Sequence, residues 1–172
     1  SANCGDNNVA VGKSAGEAVT GIKNTIIGST AGDSLVAGGS NVMMGYGAGG
    51  DPSSGSLSST VLIGANAGDA IDSTDANGSC FIGFDSGTEV TSGQYNTAIG
   101  TGSLQTNILG DRNTAVGYQA LQYYNAAGDA EGLNVGVGNH AGRYLEEGEQ
   151  NTFVGTYAGN GITGTRLDGD SN

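Results

Sequence analysis

Nine times along the chain the same nine-residue block comes back, and this recurrence restricts the fold more than any single motif. From Asn8 the block reads N-V-A-V-G-K-S-A-G; it returns as N-T-I-I-G-S-T-A-G from Asn24, N-V-M-M-G-Y-G-A-G from Asn41, T-V-L-I-G-A-N-A-G from Thr60 and S-C-F-I-G-F-D-S-G from Ser79. N-T-A-I-G-T-G-S-L from Asn96, N-T-A-V-G-Y-Q-A-L from Asn113, N-V-G-V-G-N-H-A-G from Asn134 and N-T-F-V-G-T-Y-A-G from Asn151 complete the set. The fifth-position glycines, Gly12 to Gly155, lie 16 to 21 residues apart. A repeat this short buries too little surface to fold alone, whereas stacked copies share a core. The expected architecture is therefore all-β, a parallel β-solenoid (β-roll) of nine coils forming one repeat domain over residues 1–172. Residues 163–172 read as an acidic tail or the start of a linker. An antiparallel meander is disfavoured, because equivalent positions recur in one order without alternating hairpin turns.

Each position of the block has a physical reading. Positions two apart on a strand share a face. The second position is Val, Thr or Cys and the fourth is Val, Ile or Met, so both are expected to point into the core. The core set at the fourth position is Val11, Ile27, Met44, Ile63, Ile82, Ile99, Val116, Val137 and Val154. Glycine at the fifth position implies a positive φ or a close approach between neighbouring coils. Asparagine opens seven of the nine blocks (Asn8, Asn24, Asn41, Asn96, Asn113, Asn134, Asn151), as expected for a ladder of stacked amides. The eighth position is always Ala or Ser, where the coil must be narrow, and the twelfth is a second apolar position in most coils.

The third position should then face away from the interior, yet it carries no charge in nine copies. An exposed apolar stripe invites a partner. The expected inter-chain contacts are Ile26, Met43, Leu62, Phe81 and Phe153, in an oligomer; the alternative is a flattened coil that buries this position against its own second wall.

Two short motifs suggest chemistry that the array argues against. Gly12-Lys13-Ser14-Ala15-Gly16 fits the G-x-S-x-G nucleophile elbow and contains the G-K-S of a phosphate loop. Ser14, however, occupies the seventh position, where the other copies carry Thr30, Gly47, Asn66, Asp85, Gly102, Gln119, His140 and Tyr157. His140, the single histidine, lies seven coils away, about 34 Å at strand spacing, too far for a Ser–His pair. Gly45 to Gly50 matches G-x-G-x-x-G but runs into Asp51-Pro52-Ser53-Ser54 rather than a helix. No catalytic residue is expected, nor is an enzyme.

Five Lys+Arg against 17 Asp+Glu give a net charge of -12, which repels nucleic acid and anionic lipid. No run is long enough to span a membrane, so no membrane insertion is expected. Cofactors are not expected apart from calcium, for which Asp72, Asp75 and Asn77, and Asp168 and Asp170, are the candidate ligands, with oxygens at loop-like spacing. Asn77-Gly78-Ser79 is a glycosylation sequon. Cys4 and Cys80 would lie about four coils, or roughly 19 Å, apart, beyond disulfide reach. Cys80 reads as a buried substitute for Val or Thr.

The blocks N-T-A-I-G-T-G-S-L, N-T-A-V-G-Y-Q-A-L and N-T-F-V-G-T-Y-A-G resemble the repeats of bacteriophage tail-fibre proteins and the heads of trimeric autotransporter adhesins. The resemblance covers residues 8 to about 162 and implies a β-roll, usually of three parallel chains, in an extracellular or virion fibre. This chain departs from the adhesin heads in its longer, more variable repeat. The expected function is a non-enzymatic structural or adhesive rod, a homotrimer attached to a cell surface or virion. Its partner beyond itself would be a surface glycan or receptor, on which Tyr46, Phe84, Tyr118 and Tyr157 could stack. The alternative is a subunit of an extracellular filament that stacks end to end.

Overall fold

The computed structural model describes residues 5–50, 56–71, 76–126 and 131–161. Its regular elements are nine three-residue strands: β1 (Val9–Val11), β2 (Thr25–Ile27), β3 (Val42–Met44), β4 (Val61–Ile63), β5 (Cys80–Ile82), β6 (Thr97–Ile99), β7 (Thr114–Val116), β8 (Val135–Val137) and β9 (Thr152–Val154). They form one parallel sheet in sequence order, β1 to β9, with like positions paired throughout, as in Ile26 with Met43 and Met43 with Leu62. Each strand therefore belongs to one coil, and the chain is a parallel β-solenoid.

Glycine at the fifth position turns the chain out of the strand. In all nine coils it has φ between 123° and 141°, which side chains rarely adopt. Its amide nonetheless continues the ladder, as in Gly28 N–H to the Val11 carbonyl at 2.8 Å and Gly83 N–H to the Ile63 carbonyl at 2.7 Å. A β-carbon at Gly83 would sit 2.6 Å from the carbonyl carbon of Gly100. Positive φ and close approach thus both hold. The eighth-position amide then bonds back to the glycine carbonyl, as Ser103 does to Gly100 at 3.2 Å. The seventh position has φ of 52° to 62° in every coil while the sixth stays negative, the pattern of a type II turn.

The strand faces are the reverse of the sequence expectation. The third position points inward: Ile26, Met43, Leu62 and Phe81 are buried and Phe153 packs on the same core. The fourth-position set is half-buried or exposed instead: Val11, Ile27, Met44, Ile63, Ile82, Ile99, Val116, Val137 and Val154 form an outward column, with the second position beside it. The chain is thus the flattened coil held as the alternative. Opposite the strands the interior is closed by the small eighth position (Ala31, Ala48, Ala67, Ser86, Ser103, Ala120, Ala141) and by Val19, Leu35, Ile71, Val90, Tyr124 and Leu145. Asn107 interrupts this apolar row, but it is buried with its amide paired to both groups of Gly110.

Core volume is shared between the third and ninth positions. Where the third is large (Ile26, Met43, Leu62, Phe81, Phe153) the ninth is glycine, and a β-carbon on Gly87 would strike the Phe81 ring. Where the third shrinks to Ala98 and Ala115, the ninth becomes Leu104 and Leu121, both buried despite φ of 51° and 48°. Gly136 has glycine at both positions, and Leu121 fills its space, lying 2.8 Å from where a β-carbon would be.

Two outcomes are expected in denaturant melts followed by circular dichroism. Gly83→Ala combines a forbidden φ with a collision and should lose at least about 3 kcal/mol. Leu104→Gly should cost about 2–4 kcal/mol and Ala98→Leu about 1–3 kcal/mol, whereas the double variant, which copies the Leu62–Gly68 pairing, should fall within about 1.5 kcal/mol of the parent.

Candidate functional site

The first-position asparagines, buried from Asn24 onward, form a spine along the stack. Each Oδ1 accepts the first-position amide of the next coil, from Asn24 N–H to Asn8 at 2.8 Å through Asn113 to Asn96 at 2.8 Å and Asn151 to Asn134 at 3.0 Å. Some also accept the next side chain, as Asn24 does from Asn41 Nδ2 at 3.0 Å. The Nδ2 group reaches across its own coil to a late carbonyl: Gly21 for Asn8, Leu57 for Asn41, Gly110 for Asn96 and Gly148 for Asn134. The spine passes Thr60, whose amide bonds Asn41 at 3.0 Å, and at Ser79 the hydroxyl oxygen stands in, accepting from Asn96 N–H at 3.2 Å. With both ends of the amide used, burial carries no unsatisfied-polar penalty. This spine is structural.

Among the described residues three exposed features bear on function. The outward face of the sheet carries the second and fourth positions, eighteen residues without a charge. Cys80 lies there, a free thiol half-exposed rather than buried in the core; partial burial pushes its pKa up, so it is a weak nucleophile at neutral pH.

The second surface carries the sixth, seventh and tenth positions. In its C-terminal half it is a packed column. Gln122 Nε2 donates to Gln105 Oε1 at 2.7 Å, and Arg143 Nε donates to Gln122 Oε1 at 2.8 Å. The Arg143 guanidinium lies 4.9 Å and 5.6 Å from the ring centres of Tyr144 and Tyr123, which stack at 5.3 Å. His140 sits between Tyr118 and Tyr157, at 5.2 Å and 5.1 Å, with Nε2 2.8 Å from Gln119 Oε1. That contact needs an N–H on Nε2, leaving the buried Nδ1 as an acceptor without a partner. The column is assembled as a packed wall, and Ser14 takes no part in it, consistent with its reading as a turn residue.

The third surface is a notch of about 350 Å³ on the same face in the N-terminal half, lined by Thr30, Asp33, Tyr46, Gly47, Gly50, Asn66 and Asp69. Of these, the sequence marked only Tyr46 as a candidate ligand contact, with Gly47 and Gly50 read as a chance G-x-G-x-x-G match. The signal available was the coincidence of glycine at both the seventh and tenth positions of one coil.

Of the calcium candidates, Asp72, Asp75, Asp168 and Asp170 lie outside the described residues, as do Cys4 and 163–172. Asn77 Oδ1 accepts a hydrogen bond from the Ser58 N–H at 2.6 Å. Among the described residues no group of three His, Cys, Asp or Glu side chains is placed to hold a metal, and no helix is long and apolar enough to cross a membrane. No family model, curated protein or solved structure matches the chain.

His140 generates a pH prediction. Desolvation, and secondarily the Arg143 charge, hold its pKa below the ordinary value. The folded state then binds fewer protons than the unfolded state, so stability is full above the unfolded pKa of about 6.5 and declines as pH falls through the folded value. Thermal melts between pH 7.5 and 5 should show the parent losing more stability than His140→Gln, by on the order of 1 °C in Tm.

Proposed function

We propose that the chain is a rigid, non-enzymatic module of an extracellular or virion fibre, assembled by side-by-side association of copies of itself and serving in surface attachment. The observation that carries this reading is the outward sheet face. Nine strands at about 4.8 Å spacing make it about 40 Å long, two side chains wide and apolar or Thr throughout. A chain of net charge -12 leaves such a stripe uncharged only at a cost in solubility. Association with itself is favoured because two equally acidic copies can meet there without opposing charges. The residues named for inter-chain contact change accordingly: Ile26, Met43, Leu62, Phe81 and Phe153 serve the chain's own core, and the second and fourth positions take their place.

A homotrimer is the assembly we favour. The stripe consists of two columns, and in a three-fold arrangement each chain has two neighbours, one for each column. End-to-end stacking is the second reading: among the described residues β1 and β9 are the edge strands of the sheet, and an edge strand can pair with another chain.

Sedimentation and light scattering should give a discrete assembly of three times the 16.9 kDa chain mass. Ile63→Glu with Ile82→Glu should yield monomers with unchanged circular dichroism, because both side chains point outward. A native chain that stays monomeric at tens of micromolar would remove the lateral reading, and indefinite rods in electron micrographs would favour the filament.

A further inference from the structure

We infer that the notch at the third coil, with the row of aromatic rings that leads from it, is a binding site for a neutral, hydroxyl-rich glycan. The inference deepens the attachment role proposed above and rests on its adhesive part, not on the oligomer.

The notch exists because one coil lacks side chains where its neighbours have them. Gly47 and Gly50 occupy the seventh and tenth positions; the coil before carries Thr30 and Asp33 there, and the coil after carries Asn66 and Asp69. Gly102 leaves a similar gap at the seventh position of a later coil, but Gln105, Gln119 and Gln122 lean over it within 3.4–3.8 Å of where its β-carbon would be. In the third coil Asn66 Oδ1 comes to 3.2 Å from the β-carbon position of Gly47 and Asp69 Oδ1 to 2.8 Å from that of Gly50, so these oxygens rim the cavity of about 350 Å³ that remains beside Tyr46.

The lining selects the ligand class. Asn66 donates its Nδ2 to Asp85 Oδ1 at 3.0 Å, and its Oδ1 lies 3.2 Å from the β-carbon position of Gly47. The Thr30 hydroxyl donates to the Ser29 carbonyl at 2.8 Å and so offers the site its lone pairs. The Asp33 carboxylate, which already accepts from the Ser34 hydroxyl at 3.3 Å, and the Asp69 carboxylate, which also has a partner within the chain, add further acceptor oxygens. An anion is excluded, and a ligand rich in donors fits. Tyr46, 65% exposed, supplies a flat apolar wall of the kind that stacks on a pyranose ring. A bare cation would use the oxygens and leave that wall idle.

The sixth position extends the site. Exposed rings recur there in alternate coils, Tyr46, Phe84 and Tyr118, with the smaller Ala65, Thr101 and Asn139 between or after them. Alternate coils are roughly 10 Å apart, close to the advance of a disaccharide along an extended glycan. The notch would hold one sugar, and the following rings would hold every second sugar beyond it.

The test is an immobilised-glycan array followed by calorimetry with the neutral hexasaccharides that bind, and with calcium chloride alone as a separate titrant. We expect binding of neutral but not anionic glycans, with hexasaccharide tighter than disaccharide. Tyr46→Ala and Asp69→Asn should each weaken it at least tenfold, and Phe84→Ala should weaken the hexasaccharide but not the disaccharide. Gly47→Asn fills the notch with a residue that Asn66 shows is accepted at φ of 55°, at the expense of a shift of the Asn66 side chain, so it should abolish binding while circular dichroism still reports the folded chain. The proposal is overturned if no neutral glycan binds, if Tyr46→Ala and Gly47→Asn bind normally, or if calcium alone occupies the site. Sedimentation of the same variants keeps the two readings apart: loss of glycan binding with the assembly intact counts against this site only.

Discussion

Every coil hangs from the one before it by the amide of its corner glycine. The bond from Gly28 to Val11 recurs from Gly45 to Ile27 and onward to Gly155 and Val137, always at 2.7–2.8 Å. It is made while the chain is already turning away from the sheet, which demands the φ of 123° to 141° that glycine alone adopts readily. The same geometry brings successive glycines too close for any β-carbon. Stacking and turning are therefore one constraint. Once it is met, the tip of the turn is free to vary, and the seventh position ranges from Ser14 to Tyr157 without disturbing the ladder. Length is equally free elsewhere, so repeats of 16 and 21 residues share one strand register.

The asparagine spine solves the opposite problem, at the other end of each strand. The chain enters the strand from a residue with φ of 51° to 73°, and this bend leaves the first-position amide pointing inward along the stack. An amide side chain in the coil before accepts that N–H and returns its own N–H to a late carbonyl of its coil. One side chain thereby stacks two coils and closes one. A polar residue so deep in the interior is stable because all of its groups are matched, and the Ser79 hydroxyl suffices where the neighbouring residues supply the rest.

The strands, the glycine corner and the asparagine ladder were legible from the sequence because each repeats a residue type that has a specific backbone or hydrogen-bonding role. The inward face of the strand was not. Alternation fixes which residues share a face, but when both faces are apolar it does not say which is inside. Ile26 beside Ile27, or Met43 beside Met44, is ambiguous for this reason. The deciding signal was volumetric and lay outside the strand: Leu104 and Leu121 enter the ninth position in two of the three coils whose third position is alanine, the first coil (Ala10, Gly16) being the exception. That exchange makes sense only if third and ninth positions face each other across one interior. Thr25, Thr97, Thr114 and Thr152 at the second position agree, since a hydroxyl is more easily left on an outer face. The notch was only partly legible, since the paired glycines show in the sequence but not what surrounds them. It depends on the neighbours of Gly47 and Gly50 in the adjacent coils, which only the register places beside them.

Electrostatics gives part of the notch a structural origin, and the part it leaves over is informative. Along the tenth position Glu17 and Asp33 already stack one coil apart, and Asp69 follows two coils later. An acid at position 50 would make an unbroken run of four carboxylates about 4.8 Å apart, each pair repelling by roughly 3–4 kcal/mol at an effective dielectric near 20. A neutral residue there spreads Asp33 and Asp69 to about twice that distance, near the screening length of physiological salt. Any small neutral residue would achieve this, and none of it concerns Gly47. The seventh position adopts the same φ with Ser, Thr, Asn, Asp, Gln, His and Tyr in other coils, so the backbone does not call for glycine at 47. What glycine at both positions adds is an open floor beside the exposed Tyr46 ring, and it is this floor, not the charge spacing, that distinguishes the third coil from its neighbours.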